Sequence, residues 1–148
     1  MKTKFFKSAF LAIAASIFVV SVVSSCATRS HFLTSEVAPA AQGTVQVKSD
    51  ANSNYVISLE LSNLAPSTRL TPPKASYVVW LVDQNNSYRN LGQLNSSDDF
   101  MSKSLSAKFE TLSSSKPVKI VITAEDEPGV QYPTYSSIVL TTGYLSVK

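Results

Sequence analysis

The chain has 148 residues, with 13 Lys+Arg, 10 Asp+Glu and a single cysteine. One cysteine excludes an internal disulfide, so an exported form has to be held together by its apolar core. Three of the basic residues (Lys2, Lys4 and Lys7) precede Cys26, which leaves 10 charges of each sign after it. That zero balance gives no reason to expect nucleic acid or an anionic surface as a partner.

In chain order, the first segment is a cationic start followed by an uncharged run over residues 9–23, then Val23-Ser24-Ser25-Cys26. Charged, apolar and small-residue segments in that order form a secretory signal peptide over residues 1–25. The 15 residues of the run fall short of the roughly 20 that an α-helix needs to cross a bilayer. Val23-Ser24-Ser25-Cys26 resembles the lipobox of bacterial lipoproteins. The resemblance implies cleavage between Ser25 and Cys26, diacylglycerol on the Cys26 thiol and a fatty acyl group such as palmitate on the new amino terminus. A plain secreted protein with a stray thiol and an uncleaved anchor are the competing readings. The position of the cysteine, directly after two small residues at the end of the apolar run, favours lipidation. Two or three acyl chains make such an anchor permanent, since each buried CH₂ adds about 0.8 kcal/mol. Ala27 follows, not the Asp that commonly retains such lipoproteins at the inner membrane, so the outer membrane is favoured.

Residues 26–42 then read as the lipidated cysteine and a flexible tether that carries the domain clear of the headgroups, because ATRSHFLTSEVAPAAQ has no sustained periodicity. Residues 43–148 are enough for one domain, which at this size buries roughly two thirds of its unfolded surface. Val45 and Val47 alternate with polar residues. Tyr55, Ile57, Leu59 and Leu61 alternate with Val56, Ser58, Glu60 and Ser62, the period of a strand with one buried face. Pro72-Pro73 marks an irregular loop over residues 67–74. Tyr77-Val78-Val79-Trp80-Leu81-Val82 is apolar on both faces and predicts a central strand. After a polar turn, residues 88–94 form its hairpin partner, with Gly92 at a bulge or close approach. Residues 100–106 could hold one helical turn. Leu105, Ala107 and Phe109 alternate, as do Val118, Ile120 and Ile122, and Ile138 and Leu140 open the last run. About seven strands at this spacing predict an all-β, antiparallel sandwich of Ig-like, Greek-key type.

Two of these segments share the pattern of a known family. Tyr77-Val78-Val79-Trp80-Leu81-Val82-Asp83 with Leu91-Gly92, and Ile120-Val121-Ile122-Thr123-Ala124-Glu125 with Pro128-Gly129, Pro133-Thr134, Val139-Leu140 and Gly143, resemble the two hallmarks of the anti-sigma-K factor C-terminal domain. The resemblance spans about residues 43–145. It implies an extracytoplasmic β-sandwich that in the family is the sensory end of a membrane anti-sigma factor. Neither the family's sigma-binding domain nor its membrane-spanning helix is expected here, so the resemblance implies that the fold and a recognition surface carry over and that sigma inhibition does not.

No residue pattern points to catalysis. A hydrolase serine needs a base, and the single histidine, His31, falls in the expected tether. Zinc needs clustered Cys, His or carboxylate ligands, and four glycines supply no phosphate loop. Neither a metal nor another cofactor is expected. Asp98-Asp99 and Glu125-Asp126-Glu127 are acidic clusters in expected loops. Solvated loops are the leading reading, with calcium second, although neither has EF-hand spacing. A catalytic carboxylate pair would need Asp98 or Asp99 about 5 to 10 Å from Glu125, Asp126 or Glu127. Trp80 suits a core residue between the sheets better than a stacking platform, given its apolar neighbours.

Binding residues gather on loops held by a rigid scaffold. The candidate binding loop is residues 125–135, with Glu125, Asp126, Glu127, Gln131, Tyr132 and Tyr135 as its recognition side chains. The expectation is a non-enzymatic, lipid-anchored interaction module of the bacterial cell envelope, facing the periplasm. Its partners would be the membrane and a protein or envelope component, and not nucleic acid. A carbohydrate-binding or surface-attachment role is the alternative.

Overall fold

A computed structural model of the chain describes residues 27–94 and 106–147. Eight strands form two four-stranded antiparallel sheets. The first sheet has the order β1 (Thr28–His31), β2 (Gln42–Ser49), β3 (Tyr55–Ser62), β6 (Ser106–Ser113). The second has the order β5 (Tyr88–Leu94), β4 (Ser76–Val82), β7 (Lys119–Glu125), β8 (Ile138–Thr141). Apart from β1, these are the seven strands expected from the sequence. With β2-β3-β6 facing β5-β4-β7-β8 and crossings at β3–β4, β5–β6 and β6–β7, the connectivity is Ig-like. Among the described residues the only helical elements are 3₁₀ turns at Ser67–Arg69 and Tyr135–Ser137.

The alternating runs bury the faces that their pattern dictates. Val45, Val47, Ile57, Leu59 and Leu61 face Tyr77, Val79, Leu81, Ile120 and Ile122 across the sandwich, all at most 3 % exposed. Each fully buried aliphatic side chain contributes about 1.5 to 3 kcal/mol. All seven residues of β4 are buried, because both of its faces are covered. Tyr77, Val79 and Leu81 belong to the main core, whereas Val78, Trp80 and Val82 form a second cluster with Val121 on the opposite face. The β4–β5 register shifts between Val79 and Trp80, and Gly92 sits there at φ 131°, as a bulge requires.

The expected tether is not one. Thr28–His31 pairs in register with β2, from Thr28 opposite Val47 to His31 opposite Thr44. The next residues cross to the other sheet: Phe32 bridges Thr142 and the Leu33 N–H donates to the Thr141 carbonyl at 2.8 Å. Thr28 Oγ1 donates to the Ser146 carbonyl at 3.1 Å. The segment therefore closes the seam between the two sheets, and the domain starts at Thr28 rather than Gly43. Residues 33–41 then fold over one end of the sandwich, where Ala38 and Ala41 are buried and the Ser35 hydroxyl accepts the Ala38 N–H at 2.8 Å. The absence of periodicity misled because an edge strand is held by main-chain hydrogen bonds and needs no apolar face.

The two ends of the sandwich differ. One carries the amino-terminal end of β1, the carboxy-terminal segment and three short connections, 50–54, 83–87 and 114–118. Two are closed by carboxylates. Asp50 Oδ1 accepts the Asn52 and Asn54 N–H groups at 2.8 Å, and Asp83 Oδ1 accepts those of Asn85 at 2.8 Å and Ser87 at 3.0 Å. The bond from the Asn54 backbone is the main cause holding the Asp50 carboxyl below its ordinary value. The opposite end carries segments 33–41, 63–75 and 126–137.

Candidate functional site

The loop 126–137 lies across the outer face of the second sheet, over the second apolar cluster. Val130 and Ile138 pack on Trp80, Val78 and Val121. Trp80 is fully buried, and its indole N–H donates to Thr123 Oγ1 at 2.8 Å. It is a core residue as expected, but it packs between sheet and loop rather than between the two sheets.

Hydrogen bonds fix the loop at two further places. Asn90 of β5 donates through Nδ2 to the Pro128 carbonyl at 3.0 Å and to the Val130 carbonyl at 2.8 Å, while its Oδ1 accepts the Gly92 N–H at 2.9 Å. Glu125, the last residue of β7, is 2 % exposed. Its Oε1 accepts the Thr134 N–H at 2.9 Å and its Oε2 the Thr134 hydroxyl at 2.7 Å. Glu125 was expected as a recognition residue, but its carboxylate is turned inward to hold the loop. A buried carboxylate needs such donors, and Thr134 supplies two.

The remaining candidates are on the surface. Asp126 forms an ion pair with Lys74 at 2.8 Å on the solvent side. Glu127, Gln131, Tyr132 and Tyr135 are exposed, with Tyr132 78 % and Tyr135 65 % accessible. Tyr135 meets Tyr88 edge to face, with ring centroids 5.6 Å apart. Partial burial, and secondarily Tyr135, raise the Tyr88 phenol above its ordinary value. The exposed set offers carboxylate acceptors, an amide and phenols, which suits hydrogen bonding combined with apolar contact.

A groove missed in the sequence lies at the same end of the sandwich. It has a volume of about 520 Å³ and runs between residues 36–40 and the 63–71 loop, with Glu36 on one wall and Arg69 and Leu70 on the other. Val37, Leu70 and Thr71 also line a smaller adjoining hollow that reaches Ser136 and Ser137 beside the candidate loop. The groove stayed hidden because one of its walls was read as tether. The proline and two alanines of Ala38-Pro39-Ala40 are its only signal.

Ser25, Cys26, Asp98 and Asp99, and the helical turn considered for residues 100–106 apart from Ser106, lie outside the described residues. His31 is exposed on the first sheet. Among the described residues no group of three or more His, Cys, Asp or Glu could hold a metal ion, and no helix is long and apolar enough to cross a membrane. In comparisons with known proteins, no family model matches the chain and no curated protein matches it significantly.

Proposed function

We propose that the chain is a lipid-anchored, extracytoplasmic binding module of the bacterial cell envelope, with loop 126–137 as its recognition element. On this reading Cys26 carries the lipid, the outer membrane is the favoured site, and the domain acts like the sensory domain of anti-sigma-K factors without inhibiting a sigma factor. One observation carries the loop assignment. The loop is pinned through Glu125, Asn90 and the Trp80 cluster, yet Glu127, Gln131 and Tyr132 are free at its surface. A surface held in place before binding loses little conformational entropy on association. Two of the exposed tyrosines, Tyr132 and Tyr135, lie on this loop and the third, Tyr144, lies after β8, so they form no row along a sheet face, which favours a protein or envelope contact over a carbohydrate platform.

The test combines Glu127→Ala, Gln131→Ala and Tyr132→Ala, which leave every pin intact. Exposed substitutions usually cost under about 0.5 kcal/mol each, so the melting temperature should move by only a few degrees. Affinity for a partner cross-linked to the lipidated protein in envelope preparations should fall at least tenfold, about 1.4 kcal/mol. Unchanged affinity in the folded triple variant would shift the site to the Glu36–Arg69 groove. Labelled palmitate incorporation into the wild type, and its loss in Cys26→Ala, tests the anchor separately.

A further inference from the structure

We propose that the end of the sandwich carrying Thr28, Asn85 and Tyr144 rests directly on the phospholipid headgroups and that the opposite end, with the 63–75 segment, points away from the membrane. The proposal rests on the reading of Cys26 as the lipid-bearing residue, and it adds the orientation that the anchor imposes.

Chain length gives the first argument. Ala27 alone separates Cys26 from Thr28, and two peptide units span at most about 7 to 8 Å. Thr28 is fixed by pairing with Val47 and by its hydroxyl bond to Ser146. The interfacial layer of one leaflet is about 5 to 8 Å thick, so the first strand begins where the headgroups end. From there β1 runs antiparallel to β2 toward the loop end. At about 3.3 Å per residue, the eight residues of β2 put that end roughly 25 Å further out.

Side-chain chemistry at the two ends agrees with this placement. Near the anchor, Tyr144 is 81 % exposed, and Lys119 Nζ lies 4.6 Å from its ring centroid. Lys48 and Lys116 are at the same end, and Leu112 is 58 % exposed beside them. Tyrosine, lysine and isolated apolar side chains suit the headgroup layer, and lysines are attracted to anionic lipid. The carboxylates of Asp50 and Asp83 at this end are occupied by their own turns. The far end carries Glu36, Glu125, Asp126 and Glu127 against Arg69 and Lys74. Those two turn carboxylates keep their charge, so the named groups sum to +1 at the anchor end (three lysines, two aspartates) and to −2 at the far end (four acids, two bases).

The test places a fluorophore on Asn85→Cys or on Thr68→Cys in the full-length lipidated protein, reconstituted into phosphatidylcholine–phosphatidylglycerol vesicles with spin-labelled headgroups. Quenching at position 85 should exceed that at position 68 at least fivefold. Adding Tyr144→Ser and Lys119→Glu should lower that ratio at least twofold while flotation with the vesicles persists. Equal or reversed quenching overturns the orientation, and an unchanged ratio in the double substitution overturns the headgroup contact. Protein that does not float and carries no palmitate removes the anchor itself, an outcome distinct from either.

Discussion

Glu125 and Thr134 are bonded to each other twice, nine residues apart, across the neck of the loop that joins β7 to β8. One carboxylate thereby takes up both polar hydrogens of a single residue. Glu125→Ala would leave the Thr134 N–H without its partner, and an unsatisfied group of this kind costs about 1 to 3 kcal/mol. Amide hydrogen exchange at Thr134 should accelerate at least tenfold, while exchange in β2 and β3 stays slow. Uniform acceleration across both sheets would mean that Glu125 supports the whole sandwich and not the loop.

Trp80 is the single tryptophan of the chain, so its fluorescence reports on the second cluster alone. Trp80→Ala should destabilise the domain by about 3 to 5 kcal/mol in urea melts. A milder change, Val130→Ala, should shift Trp80 emission to longer wavelength by opening the cover over the indole. If emission in that variant matches the wild type, the loop does not shield the ring.

Phe32 separates a structural segment from a tether. It packs against the main core and bridges Thr142. Phe32→Ala should lower stability by about 2 kcal/mol or more. The same change in a solvated linker stays within about 0.5 kcal/mol, so a midpoint unchanged in urea would restore the tether.

Tyr77 gives a stability slope in alkali. Burial pushes its phenol from 10.0 up to about 12, and the hydroxyl donates to the Ala65 carbonyl at 2.7 Å. The folded state therefore keeps the proton that the unfolded chain releases. Its contribution is complete below pH 10 and is lost as pH rises from 10 through about 12, by roughly 2 to 3 kcal/mol at 1.36 kcal/mol per unit. Tyr77→Phe cannot titrate, so the difference in stability between it and the wild type should shrink or reverse over that window. Parallel slopes would place the alkaline loss elsewhere.

Period-two alternation made legible the strands that bury one face, whereas β4 was legible from its unbroken apolar run. Ile57, Leu59 and Leu61 announce β3 because alternate side chains lie on opposite sides of the sheet, and Val45 and Val47 do the same for β2. Periodicity has nothing to report where both faces are apolar, as in β4, so it could establish that Trp80 is buried but not by what. It is equally silent for Thr28–His31, whose pairing uses main-chain groups alone. At the candidate loop, the exposure of Gln131, Tyr132 and Tyr135 follows from composition. The inward turn of Glu125 does not, since it depends on Thr134 and on the approach of Asn90 from another strand.

The bond between Thr28 and Ser146 spans 118 residues, which sets an order of events. Synthesis delivers the amino-terminal strand first, and local pairs such as β2 with β3 can form early. The seam that Phe32 and Leu33 make with Thr141 and Thr142 has no partner until those two residues have emerged, more than 100 residues later. Contacts of such long sequence separation are the slow ones in folding. Until they form, the Thr141–Thr142 end of the β8 edge is unpaired, the kind of surface that recruits foreign strands. A chain interrupted before residue 141 would retain its hairpins and stay vulnerable to association, whatever the strength of its core.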